Sequence, residues 1–211
     1  HYGHMIHESL EYFLLDSQSL PVDKFEKLKR IQGKFNDLKD LLEQTDKTFN
    51  EDFFNVYIIN MVPFEFMEWI ISKFKEVNPE LGVVAIPEKV NFSPTYEICG
   101  TEDIEIILDE INFEIGDHKT NKQFTFESEY DKNLKAPFDD MPSCSMSDYT
   151  LQLNTYGLIQ EVDYGRRFNG GWITYFDREQ KKFDYIKIPV VLDKADLLLK
   201  TFKNHQDTLK E

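Results

Sequence analysis

Few side chains in this chain stand where they could do chemistry. The 211 residues hold two cysteines and five histidines. His1-Tyr2-Gly3-His4 reads as the remnant of an expression tag, which leaves His7, His118 and His205. A nucleophilic thiol needs a base within hydrogen-bond reach. Cys99 with His118, or Cys144 with His205, could supply one, and the competing reading is a packed Cys99 and a loop Cys144. No Cys or His pair has zinc-site spacing. Among the carboxylates, Asp139-Asp140 and the pair Glu127 and Glu129 could help hold Mg²⁺ or Ca²⁺ through hard oxygens, and neither has the spacing of an EF-hand. Arg166-Arg167 could grip a carboxylate or phosphate, and in so acidic a chain it reads first as a local charge partner. There is no phosphate-binding glycine loop and no Gly-x-Ser-x-Gly elbow. The sequence gives no reason to expect a cofactor or a metal.

The clearest pattern is charge. The formal net charge is −15. Between Lys89 and Lys119 there is no Lys or Arg, while Glu97, Glu102, Asp103, Glu105, Asp109, Glu110, Glu114 and Asp117 fall in that window. Such a segment repels anions, so neither nucleic acid nor an anionic membrane is an expected partner. It would attract a basic protein. The expected docking residues are Glu102, Asp103, Glu105, Asp109 and Glu110, with Tyr130, Tyr149 and Trp172 as aromatic anchors. Solubility alone is the competing reading of the same charge.

The elements that must position these residues follow from periodicity. Residues 6–16, 21–44 and 64–77 read as helices, 51–62 reads as a buried helix or a strand with the helix preferred, and Leu28, Phe35, Leu38 and Trp69 are candidates for burial. Val83 to Ile86 reads as a short strand. Thr101 could cap a helix with Ile104, Ile107, Leu108 and Ile111 on one face and Glu102, Glu105 and Asp109 on the other, though the same residues read nearly as well as a strand. Alternation predicts strands at 111–115, 123–129 and 149–153, and a hairpin over 172–188. Asp193 opens a closing helix. Residues 132–147 form the longest expected loop. Helices first, strands next and a helix last predict an α+β fold, with N-terminal helices packed on a mainly antiparallel sheet and a closing C-terminal helix. The expectation is one domain over 5–211, helical over about 6–78, strand-rich over about 82–190 and helical again over about 193–209.

Composition places the chain among globular proteins, at 41% hydrophobic and 30% charged. No apolar run approaches membrane-span length. Two cysteines and no signal-peptide pattern predict free thiols and a cytoplasmic setting. In that acidic, motif-poor α+β character the chain is similar to small cytosolic immunity proteins that neutralise bacterial toxins. The resemblance covers no motif and transfers no residue roles. It implies an inhibitor whose acidic face blocks a basic toxin cleft. The alternatives are a hydrolase using carboxylate-bound metal or a cysteine nucleophile, and a structural subunit of a larger assembly.

Overall fold

A computed structural model of the chain describes residues 84–210, apart from 121–122, 178–179 and 181. The helices expected over 6–78, with Leu28, Phe35, Leu38 and Trp69, lie outside the described residues. Within them the order is β1 (Val84–Ser93), β2 (Ile98–Ile107), β3 (Asn112–Lys119), α1 (Ser145–Tyr164), β4 (Arg167–Asp177), β5 (Lys182–Ile188) and α2 (Leu192–Lys210). The five strands form one sheet in sequence order. The fold is α+β. The expected hairpin is β4 and β5, and the expected closing helix is α2.

Three of the expected elements come out differently. Residues 98–107 are a strand, not a helix. β2 pairs with β1 on one side and β3 on the other, so its isoleucine-rich run has its backbone satisfied twice over and its β-branched side chains pack against neighbours. Residues 149–153 belong to α1. Their alternation is an accident of five positions. The buried residues Thr150, Leu153, Asn154, Gly157 and Leu158 follow the helical steps of three and four. Residues 123–129 contain no strand. The sheet is also mixed. β1–β2, β2–β3 and β4–β5 are antiparallel, while β3 and β4 are parallel, with α1 as the crossover between them. Parallel neighbours require such a crossover.

α1 lies over one face of the sheet. Leu153 joins Phe113, Ile115, Phe168, Ile173, Tyr175 and Ile188 in a buried core. Farther along the helix, Leu158 and Ile159 pack with Tyr96 and with Ala195 and Leu199 of α2. Asn154 ties the end of β5 to α1. Its amide donates to the Pro189 carbonyl at 2.9 Å and its oxygen accepts from Val191 N at 2.7 Å. The helix ends at Gly165, which takes the left-handed φ of 66°.

The close seating of α1 depends on Gly157. A Cβ built there would fall 2.5 Å from two atoms of the Phe168 ring. Gly→Ala inside a helix ordinarily adds about 1 kcal/mol of stability. Here the added methyl meets a buried ring on a rigid strand, and overpacking of that kind costs about 1–3 kcal/mol. Gly157→Ala should therefore destabilise in urea unfolding. A midpoint at or above that of the parent would show that α1 does not rest on Phe168 as described.

Candidate functional site

Asp117 and Lys119 are two residues apart on β3, so their side chains leave the same face. That face is the one α1 covers, since Ile115 packs on Leu153 and the Lys119 ammonium lies 4.8 Å from the centre of the Tyr149 ring. β2 pairs with β3 through Ile104 opposite Gly116, and one step further along that register brings Asp103 level with Asp117. The Asp103 and Asp117 carboxyls hydrogen-bond each other. The backbone N–H of His118 donates to Asp103 Oδ2 at 2.6 Å. Lys119 forms an ion pair with Asp117, which is buried. Two carboxyl groups and one ammonium thus meet at the middle of the sheet.

The electrostatics follow from that crowding. Burial pushes the Asp103 carboxyl above its usual value, and the charge of Glu88 adds to the effect, against the opposing pull of the His118 N–H and Lys119. The hydrogen bond with Asp117 pulls it down as well, and burial outweighs these effects. Lys119 moves the other way from most buried lysines. Burial pulls its pKa down, but Asp117 and Asp103 outweigh that and leave it raised. It is therefore a cation at neutral pH.

α1 contributes a tyrosine. The Tyr156 ring lies against Gly100 of β2, where a Cβ would stand 2.7 Å from Cε1 and 2.8 Å from the hydroxyl. Gln152, one turn earlier, hydrogen-bonds Tyr156. Burial raises the Tyr156 pKa, and the charges of Asp117, Asp103 and Glu102 raise it further. Tyr156 is therefore a neutral phenol at neutral pH, able to donate a hydrogen bond.

The residues expected to form an acidic docking face do not share one surface. Glu102 and Glu105 are buried, at 1% and 0% exposure. Asp109 and Glu110 are exposed beyond the end of β2, and Asp109 Oδ1 accepts from the N–H groups of Ile111 and Asn112 to shape the turn. Asp103 belongs to the carboxyl pair. The reason is the strand geometry of β2: Glu102 and Glu105 turn into the polar cluster around Gln160, and Asp103 turns to Asp117. Of the expected anchors, Trp172 is fully buried and Tyr149 is half-buried under Lys119, while Tyr130 is exposed. Tyr130 lines a cleft of about 210 Å³ with Glu127, Glu129 and Lys132. Asp140 pairs with Lys194, and Asp139 is exposed. Cys99 is an exposed thiol; Cys144 is buried and donates to the Phe126 carbonyl at 3.3 Å. The His118 ring sits 6.4 Å from that of Trp172. Sequence reasoning counted Asp117 and Lys119 only as members or borders of the acidic window. The signal that could have found them is Asp-x-Lys on an alternating strand beside a second strand carrying Asp103.

Glu102 and Glu105 lie beneath the site in a polar cluster. Gln160 Nε2 donates to Glu102 Oε1 at 2.9 Å and to Glu105 Oε2 at 2.6 Å. Arg166 Nη1 reaches Glu105 Oε2 at 2.6 Å, and Lys89 also pairs with Glu105. Strict alternation would send Glu102 and Glu105 to opposite faces. The pleat is interrupted at their level, where Glu88 of β1, opposite Asp103, takes a φ of 48°. Glu105 is held below the usual carboxylate range: burial opposes this, but Arg166, Lys89 and Gln160 prevail. Glu102 is raised well above that range, first by burial and then by the charge of Glu105. A carboxyl raised on folding contributes stability below its unfolded value and loses it as pH rises through the folded one. Glu102→Gln keeps the neutral shape. It should raise the melting temperature at about pH 9 and change it little at about pH 5. An equal effect at both would mean that Glu102 is not held protonated.

No family model matches the chain, and no curated protein matches it. Among solved structures, one described as a "Putative exonuclease" from Eubacterium rectale superposes with a TM-score of 0.39 at 14% identity, covering 86% of this chain and 74% of that one. The structure of SSO0001 superposes with a TM-score of 0.33 at 13% identity, covering 94% of this chain and 84% of its own.

Proposed function

We propose that this chain is a divalent-metal-dependent hydrolase acting on phosphodiesters, with Asp103 and Asp117 as the metal-binding carboxylates and Lys119 as the cation beside them. The observation that carries the reading is the contact of two carboxyl groups on neighbouring strands beside the Lys119 ammonium. Asp117 is buried and Asp103 half-buried, and a divalent cation would offset the charge the two carboxylates bring together. Among the described residues no group of three or more His, Cys, Asp or Glu is arranged to hold a metal. Two carboxylates are nevertheless the donor set suited to Mg²⁺, which keeps several of its waters and takes further oxygens from substrate phosphates. Zinc would call for histidine or thiolate ligands that this site lacks.

A bound divalent cation would supply a polarised phosphoryl oxygen and a water of lowered pKa. The chain's own groups do the rest. Asp103 and Asp117 would hold the cation. Lys119, charged at neutral pH and paired with Asp117, would offset negative charge developing on the phosphoryl oxygens. Its raised pKa makes it an electrostatic partner rather than a base. Tyr156 offers a hydroxyl donor next to the same carboxylates. The net charge of −15 gives no long-range pull on a polyanion, so substrate affinity has to come from these local cations. With Glu102 and Glu105 inside the molecule, β2 offers no continuous acidic face for a basic partner. The first solved neighbour is described as an exonuclease only provisionally. That likeness is too loose to carry the reading, which stands on Asp103, Asp117 and Lys119.

Purified protein given Mg²⁺ or Mn²⁺ should hydrolyse a chromogenic phosphodiester or end-labelled DNA, and chelation should stop it. Asp117→Asn and Lys119→Ala should each lower turnover by about 100-fold or more. Turnover by the Asp117→Asn protein equal to that of the parent would place the chemistry elsewhere. Half-saturating metal should also fall as pH rises, because the raised Asp103 pKa makes protons compete with the cation on the acid side. A metal requirement independent of pH would remove Asp103 from the ligand set.

A further inference from the structure

The Gln160 amide makes four hydrogen bonds. Its two N–H groups go to Glu102 Oε1 and Glu105 Oε2 at 2.9 and 2.6 Å. Its oxygen accepts from Lys89 Nζ at 2.9 Å and from Arg166 Nη1. A side-chain amide has two donors and an oxygen with two lone pairs, so the group is saturated. Its orientation is also determined. The oxygen faces two cations and the nitrogen faces two carboxyls, and a flipped amide would oppose all four. Gln160 is buried, at 1% exposure.

The two carboxyls it holds are Glu102 and Glu105, which bracket Asp103 in sequence. β2 leaves strict alternation at this level, so ladder geometry alone does not fix the direction in which Asp103 leaves the strand. Side chains anchored on both sides of it do. Tyr156 presses on the same stretch of β2 at Gly100, one turn before Gln160 on α1. The backbone around Asp103 is thus held by α1 at Gly100, Glu102 and Glu105.

We infer that Gln160 is a positioning residue for metal binding: through Glu102 and Glu105 it fixes the stretch of β2 that aims Asp103 at Asp117. This rests on the metal-binding reading above, and it adds a residue that touches neither metal nor substrate. Groups that orient metal ligands from behind typically cost about 10- to 100-fold in metal affinity when removed.

The test is a Mn²⁺ titration of the full chain followed by electron paramagnetic resonance of the free ion, which needs no substrate. Gln160→Leu keeps approximate size and removes all four hydrogen bonds. It should weaken Mn²⁺ binding about 10-fold or more. Asn154→Ala is the control. It breaks buried hydrogen bonds of the same helix to Pro189 and Val191 and leaves β2 alone. It should lower the melting temperature and leave Mn²⁺ affinity unchanged. Arg166→Lys, which keeps the charge and loses the guanidinium fork, serves if Gln160→Leu does not fold, and should weaken Mn²⁺ binding several-fold. Unchanged Mn²⁺ affinity in the folded Gln160→Leu or Arg166→Lys protein would overturn the inference, as would an equal loss in Asn154→Ala. Failure of the underlying reading looks different: the parent and Asp117→Asn would then bind Mn²⁺ alike.

Discussion

Charge removed from water has to be answered nearby, and β2 and β3 carry more acid into this molecule than any other part of the described chain. Glu102, Glu105, Glu114 and Asp117 are all buried. An unpaired buried carboxylate costs several kcal/mol, so each must neutralise or find a partner. The solutions differ. Glu105 stays ionised because Arg166, Lys89 and Gln160 surround it. Glu102 is pushed towards its neutral form. Glu114 pairs with Lys187 across the sheet. Asp117 has Lys119, and Asp103 beside it shares the same lysine's field. The arrangement of α1, the link to β4 and the edge strand β1 can be read as the supply of these partners: Gln160, Arg166 and Lys89 come one from each.

This supply separates two layers. In one, Asp103 and Asp117 face each other beside Lys119. In the other, Gln160, Lys89 and Arg166 surround Glu105, while Glu102 Oε2 and Glu105 Oε1 are buried without a hydrogen-bond partner.

How much of this could be read from the sequence depends on where local pattern and tertiary context agree. The β4–β5 hairpin and α2 were legible because alternation and helical spacing there are unambiguous. Residues 98–111 were not, because isoleucine at 104, 107 and 111 satisfies a helical stripe as well as a strand, and only the presence of β1 and β3 on either side decides it. That one ambiguity carried the site with it. On a helix, Glu102, Asp103 and Glu105 make an exposed acidic face. On a central strand they are forced inward. Tyr149 to Leu153 misled for the opposite reason: five alternating residues outweighed a helical period that extends past Leu158. Asp117 and Lys119 were visible throughout, but their meaning comes from Asp103 on the next strand, and pairing between strands leaves little trace in a single sequence.

The parallel pairing of β3 with β4 has a consequence for how the chain assembles. β1, β2 and β3 are joined by short turns, so their contacts close small loops at little entropic cost. β4 can join β3 only after the whole of α1 and the segment before it have been folded back, and such non-local pairing is slow. Asp103, Asp117 and Lys119 all sit in the quickly formed part. Tyr156, Gln160 and Arg166 arrive with the slow part. The carboxylates thus come together through local strand pairing, while Gln160 and Arg166 reach Glu105 across 55 and 61 residues of chain.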